Sequence, residues 1–257
     1  DHITINGETN NDATRKAQQF INYCRTRLAF QACFDVNTTN NFPTGAGLAS
    51  SASGFAALTI AINEIMSLKL SPTRLSQIAR VGSGSAARSI FSGFVELLPT
   101  NDAHAVQLHS ETHWPLSVVV AVIDEGQKEI GSSAAMVTTK DTSPFYPEWV
   151  SRHSTDMDRA RSAIRQRDFA ALASVAESNC LKMHALMLTS VPALIYWQPA
   201  TLAVMREVRQ MRSTGTPVFF SIDAGPQVKV FCPPEFESTV AQLIGAIPGV
   251  LRTISTP

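Results

Sequence analysis

In the stretch NDATRKAQQFINYCRTRL, apolar side chains recur at Ala17, Phe20, Ile21, Cys24 and Leu28. That spacing marks one face of an amphipathic helix, and Asn11 or Asp12 is placed to cap its start. Before it, HITING alternates as a strand does and meets a turn signal at Asn6-Gly7. After it, FQACFDVNTTN alternates again with β-branched and aromatic residues. The run FAALTIAINEIMSL beyond Gly54 is hydrophobic nearly all round, which predicts a helix sandwiched within a domain. Ser71-Pro72 reads as a cap followed by proline at the first helical position. That helix is expected to end where Gly82 and Gly84 break the pattern, before Ala86 and Ala87 restart it.

The second half opens with LSVVVAVID, a near-continuous β-branched strand, and carries helical patterns over about 144–165, 168–190 and 199–213. Strands PVFFSID and QVKVFC flank a turn at Ala224-Gly225-Pro226, and a helix from Pro234 and a short strand VLRTIS complete the order. The polar run NDAHAVQLHSETHWP is the expected junction, dividing a domain of residues 1–112 from one of 113–257. Helices and strands alternate irregularly, so the expected class is α+β with mostly antiparallel sheets. Neither an internal repeat nor a low-complexity segment is evident.

At 257 residues, two domains are expected, because single cores seldom grow beyond about 250 residues. Lys plus Arg number 21, as do Asp plus Glu, so no net field draws a polyanion and nucleic-acid binding is not expected. Cys24, Cys33, Cys180 and Cys232 are scattered without a C-x-x-C pair, as in buried or idle thiols of a reducing cytoplasm. Both LSVVVAVI and LMLTSVPALIYW fall short of a membrane span, so no membrane partner is expected. A first residue Asp1 inside what reads as a strand leads us to expect an N-terminal piece outside this sequence.

The segment PTGAGLASSASGFAAL, residues 43–58, carries the most specific chemistry. Gly45 and Gly47 allow a ligand to approach the backbone without a Cβ in the way. Amides at the start of the following helix, with the positive end of its dipole, make an anion site, and Ser50, Ser51 and Ser53 add hydroxyls for phosphate or Mg²⁺. On composition alone, a serine-capped glycine-rich connection fits equally well. Neither a Walker G-K-[ST] nor a G-x-G-x-x-G is present. A second Ser/Gly segment, RVGSGSAARSIFSGFVEL, repeats the arrangement at residues 80–97.

NNFPTGAGLASSASGFAAL resembles the phosphate-binding motif of the superfamily that includes galactokinase, homoserine kinase and mevalonate kinase (the GHMP kinases), in the wording of diphosphomevalonate decarboxylases. GSGSAARSIFSGFVE, SSAAM after DEGQKEIG, and FSIDAGPQVKV resemble that family's later motifs in the same order. The resemblance implies a domain like the second domain of ribosomal protein S5, then a ferredoxin-like domain, with the active site between them. It further implies ATP- and Mg²⁺-dependent decarboxylation of mevalonate 5-diphosphate to isopentenyl diphosphate, with release of ADP, phosphate and CO₂. A cytoplasmic homodimer is implied likewise.

Transferred residue by residue, the resemblance makes Asp223 the catalytic carboxylate, which orients a tertiary hydroxyl and takes its proton. The residue's setting agrees, since it ends the apolar strand VFFSI and precedes Ala-Gly-Pro. Arg88 matches the substrate-binding arginine, whose planar fork suits a carboxylate or diphosphate. Ser83, Gly84 and Ser85 match the diphosphate-holding segment, and Ser132 and Ser133 a further substrate segment that departs from the family in detail. Gly45, Gly47, Leu48, Ala49, Ser50, Ser51, Ala52 and Ser53 match the nucleotide-phosphate cradle, with Ser51 also placed to act on the γ-phosphate and Mg²⁺. The family's K-Y-W-G-K segment has no counterpart here, and the start at Asp1 leads us to expect it outside this sequence.

The alternatives are a decarboxylase of the monophosphate, a kinase that stops at phosphorylation, and a ligand-binding homologue without catalysis. An RNA-binding role, drawn from the ribosomal likeness of the fold, lacks basic and aromatic interleaving. His109, Glu111 and His113 lack the H-E-x-x-H spacing of a zinc site and are expected in a polar inter-domain loop. Trp197, Met183, Met187 and Leu194 are expected in packing, and Arg159, Arg161, Arg165 and Arg167 on a solvated helix face.

Overall fold

The computed structural model describes residues 1–42, 48–100, 102–126 and 129–256. Two compact units divide them, with the main boundary after Ser110.

In the first unit, strand β1 (His2–Ile5) turns back through Asn6 and Gly7, both left-handed at φ 53° and 82°, the geometry for which Asn-Gly is selected. Helix α1 (Asp12–Leu28) is capped by Asn11: its Oδ1 accepts from Thr14 N at 2.9 Å, and its N–H donates to Thr14 Oγ1 at 3.1 Å. Strand β2 (Asp35–Thr38) pairs parallel to β1 and is shorter than the alternation predicts. Phe34 O still accepts from His2 N at 2.9 Å, but residues 30–33 lie outside the strand, and the Phe30 and Phe34 rings pack edge-on at 5.7 Å against the α1 core.

Helix α2 (Ser50–Ile65) follows. It buries Ala52, Phe55, Ala56, Thr59 and Ile62, but Ile60 and Ile65 on its other side are 40% and 68% exposed. The expectation of a helix enclosed all round is thus corrected: the unit packs one face only. Helix α3 (Pro72–Gly82) starts at Ser71, whose Oγ accepts from Arg74 N, and a 3-10 helix (Gly84–Ile90) follows where a restarted α-helix is expected. Strands β3 (Phe94–Leu97) and β4 (Ala105–His109) form a hairpin, the latter inside the polar run that reads as a junction. Buried Ser76 binds these pieces together, donating to Ala87 O at 3.0 Å and accepting from Ala105 N at 2.7 Å.

The second unit is built on an antiparallel sheet in the order β6-β7-β5-β8, comprising β5 (Ser117–Val122), β6 (Phe219–Ile222), β7 (Val228–Cys232) and β8 (Arg252–Thr256). Helices α4 (Ser132–Thr142), α5 (Tyr146–Gln166), α6 (Phe169–Leu188), α7 (Pro199–Ser213) and α8 (Glu237–Gly245) accompany it. Val119, Val204, Val208, Phe220, Val230 and Ile244 are fully buried in the main core, with Trp197 packed at its edge. Beneath β6, the buried Glu177 carboxylate of α6 takes two guanidinium hydrogen bonds from Arg212 of α7, at 2.7 and 3.0 Å. Among the described residues, no helix is long and apolar enough to cross a membrane.

Candidate active site

The residues expected to carry chemistry fall into both units. In the first, α2 and the end of α3 approach closely because Gly82 has no side chain. A Cβ there would overlap the Phe55 ring, with even Cε1 only 2.9 Å away. That approach brings Ser51 at the start of α2 to Ser83 at the end of α3. Their hydroxyl oxygens lie 3.2 Å apart, and Ser83 Oγ lies 3.3 Å from Ser85 Oγ. Three hydroxyls 32 to 34 positions apart in sequence, counting from Ser51, thereby form one cluster.

The start of α2 is equally specific. Ala49 occupies the cap position at φ 56°, a left-handed conformation that disfavours any residue with a Cβ by about 1–2 kcal/mol. It supplies no side-chain acceptor to the first-turn amides, and no acidic residue stands in that turn. A helix start arranged this way leaves its first-turn amides without a side-chain cap from Ala49 and without a repelling acid, the conditions an anion requires. Ser53 Oγ turns back to Ser50 O at 3.1 Å, while Ala52 is buried in the packed face. Gly45 and Gly47 lie outside the described residues; Leu48 is half-buried.

Gly84 and Arg88 sit on the 3-10 helix, both exposed, and a Cβ at Gly84 would meet nothing within 4 Å. Ala86 and Ala87 bury the opposite side of this helix, which directs Arg88 outward. Among the described residues Arg88 makes no ion pair. The structure therefore gives no support to the plain reading of this arginine as half of a surface salt bridge.

In the second unit, Asp223 follows the last residue of β6. The strand end is held from below: Ile222 N donates to Cys180 Sγ at 3.2 Å, and Ile222 O takes the Cys180 thiol at 3.5 Å and lies 3.2 Å from His184 Nε2. Burial pushes the Cys180 thiol up to about 11 and holds His184 below its ordinary value, so both are neutral near pH 7. The turn beyond Asp223 is equally fixed. Thr201 Oγ1 donates to Pro226 O at 2.9 Å, and the fully buried Gln227 carboxamide accepts from Ile123 N at 2.6 Å and donates to Asp124 O.

Asp223 itself projects from this rigid base. Its side chain is 60% exposed, and its Oδ2 accepts from Lys229 Nζ at 2.8 Å. Lys229 lies on β7, paired in register with Ser221 of β6. Ser132 and Ser133 open α4 after the cap residue Gly131 and are exposed. Ala135, one turn later, shares a buried cluster with Ala224, so α4 and the Asp223 turn belong to one corner of the unit.

Sequence reasoning did not find Cys180, His184, Thr201 or Gln227, because each acts through a partner distant in the chain; it also missed Lys229, although Asp223 lies only six residues away. Lys229 alone left a trace, as the single charge in QVKVFC. Among the described residues, no group of three His, Cys, Asp or Glu side chains could hold a metal ion.

Comparison with known proteins accounts for both units. Residues 1–121 match the model of the diphosphomevalonate decarboxylase-like N-terminal domain, and residues 118–253 that of the mevalonate 5-diphosphate decarboxylase C-terminal domain. The diphosphomevalonate decarboxylase of Ganoderma lucidum is 35% identical over 223 residues, covering 81% of this chain and 56% of that protein. The chain thus spans little more than half the length of this curated relative. The crystal structure of mevalonate diphosphate decarboxylase from Staphylococcus aureus matches 99% of this chain and 78% of its own, with a TM-score of 0.92 at 34% identity. A structure of MDDEF in complex with MVAPP, AMPPCP and magnesium matches 99% and 80%, with a TM-score of 0.90 at 36% identity. The fold is the GHMP kinase fold that the motifs implied.

Proposed function

Because the chain belongs to the diphosphomevalonate decarboxylase family, we propose that it catalyses ATP-dependent decarboxylation of mevalonate 5-diphosphate to isopentenyl diphosphate, releasing ADP, phosphate and CO₂. The observation that carries the reading is Asp223: an exposed carboxylate just past a strand end, with Ile222 before it and Pro226 and Gln227 beyond it held by buried hydrogen bonds. A general base needs that combination of access and rigidity.

In this mechanism Asp223 hydrogen-bonds the tertiary hydroxyl of the substrate and accepts its proton. Arg88, whose guanidinium makes no ion pair among the described residues, holds an anionic group of the substrate, and Ser83, Gly84 and Ser85 hold its diphosphate. Ser132 and Ser133 contribute further hydroxyls to substrate binding. The start of α2 fits nucleotide phosphates, because its cap position is Ala49, its first turn carries no acid, and Ser51 offers a hydroxyl. Ser50, Ser51 and Ser53 with the local backbone hold those phosphates and the Mg²⁺ that accompanies them. When bound, ATP with Mg²⁺ supplies the phosphoryl group that makes the tertiary oxygen a leaving group. The electron pair of the carbon–carboxylate bond then forms the double bond as CO₂ departs and the phosphorylated oxygen leaves as phosphate. The same reading makes the protein a cytoplasmic homodimer, which light scattering on the purified protein tests.

Asp223→Asn separates binding from chemistry. The variant is expected to bind nucleotide and mevalonate 5-diphosphate within about threefold of the parent while CO₂ release falls about 10²–10⁴-fold, the usual contribution of a positioned base. Undiminished CO₂ release would remove Asp223 from the mechanism.

A further inference from the structure

The Asp223–Lys229 pair is unlike an ordinary surface ion pair, because its two members are unequally buried. The Lys229 side chain is 15% exposed and that of Asp223 60%. Withdrawing an ammonium from water is costly without a polar or charged partner, and a 2.8 Å contact to Oδ2 supplies one. Its backbone is fixed within β7, where Val228 and Val230 on either side are fully buried and residues 228–231 pair in register with β6. The ammonium therefore reaches Asp223 from a fixed backbone. Asp223 has one χ1 and one χ2 rotation, and a charge-assisted bond at one oxygen fixes both. Oδ1 has no hydrogen-bond donor among the described residues and remains available. The titratable groups that face the pair from α6, Cys180 and His184, are held neutral by burial and do not compete for either charge.

We infer that Lys229 is a positioning residue for the reaction, holding Asp223 by Oδ2 so that Oδ1 is presented to the substrate hydroxyl. This inference rests on the proposed role of Asp223, and its test separates the two. Asp223→Asn, Lys229→Met, Lys229→Arg and the double variant Asp223→Asn/Lys229→Met are assayed by steady-state CO₂ release, with thermal unfolding as a control for folding.

Lys229→Met is expected to lower kcat about 10–100-fold, the range of a lost charge-assisted bond, with KM for both substrates within about threefold. Lys229→Arg, which keeps the charge, recovers kcat to within about fivefold of the parent. The double variant is no slower than Asp223→Asn, within about twofold, because Lys229 acts through the carboxylate. If Lys229→Met unfolds, Lys229→Gln carries the same comparison. The inference is overturned if kcat is unchanged on removing the lysine, if KM alone moves, or if the two losses multiply in the double variant. Parent-like turnover by Asp223→Asn sinks the role of Asp223 itself; a dead Asp223→Asn beside an unimpaired Lys229→Met sinks only the role of the lysine.

Discussion

Gly82→Ala tests whether the hydroxyl cluster depends on the closeness of α2 and α3. The added Cβ would stand 2.9 Å from Phe55 Cε1 and overlap the nearer ring atoms, whereas carbon atoms rest at about 3.5–4.0 Å. The ring must therefore retreat by at least about 0.6 Å, and Phe55 is 9% exposed in the core beside Phe20, whose ring centroid is 5.1 Å away. Overpacking of this kind costs about 1–3 kcal/mol. The backbone at Gly82 is helical, so without the clash alanine is favoured there by about 0.5–1 kcal/mol.

The sign of the effect thus depends on Phe55. In the parent, Gly82→Ala lowers the urea midpoint of the first unit by roughly 1 M, taking a slope near 1–3 kcal/mol/M. In a Phe55→Ala background, the same substitution is neutral or stabilising. All three tryptophans, Trp114, Trp149 and Trp197, lie beyond Ser110. Far-UV circular dichroism follows the whole chain, and tryptophan fluorescence reports the second unit, whose midpoint stays where it was. Equal destabilisation by Gly82→Ala in both backgrounds would refute the contact. The parent-background variant is also expected to bind nucleotide more weakly, because Ser51 and Ser83 are pushed apart.

Substitutions at three other positions probe separate parts of the molecule. Arg88→Lys and Arg88→Met each lower kcat/KM, by about 10-fold and 100-fold, since lysine keeps the charge but not the fork; steady-state kinetics with mevalonate 5-diphosphate checks this. Arg212→Met leaves the buried Glu177 carboxylate without its partner. The cost for a fully buried pair is about 3–5 kcal/mol, and the partial exposure of Arg212 reduces it to about 2 kcal/mol, read from fluorescence-monitored urea unfolding. His184 is held below its ordinary value by burial, so its neutral form is favoured in the folded state. Its stabilising share is complete above about pH 6.5 and is lost as pH falls through the folded-state value. Unfolding midpoints at pH 7.5 and pH 5 are expected to differ less in His184→Gln than in the parent.

Local signals read well from the sequence because their physics is local. Asn11, Ser71-Pro72 and Asn6-Gly7 each act within a few residues, and each takes the expected place. The hairpin of β6 and β7 was legible from its two apolar runs and the turn between them. Helix α4 was not, since SSAAMVTTKDT has little amphipathic pattern and is held by Ala135 in a distant cluster. β4 hid in a polar run because only Ala105 of its five residues is fully buried. The outward face of α2 misled for the opposite reason: apolar composition does not say which side finds a partner. At the candidate site, the serines, Arg88 and Asp223 stood out by motif, but the parts that fix Asp223 did not. Cys180 and His184 lie 42 and 38 residues from Ile222, and Gln227 lies 104 from Ile123. No window of sequence contains such pairs.

The central claim is that this chain belongs to an enzyme that couples phosphoryl transfer to decarboxylation of mevalonate 5-diphosphate. Supplying the purified protein with ATP, Mg²⁺ and either mevalonate 5-diphosphate or mevalonate 5-phosphate, and counting CO₂ and ADP together, tests it directly. The account predicts equal amounts of CO₂ and ADP from the diphosphate and little of either from the monophosphate. ADP without CO₂, or turnover confined to the monophosphate, would contradict it.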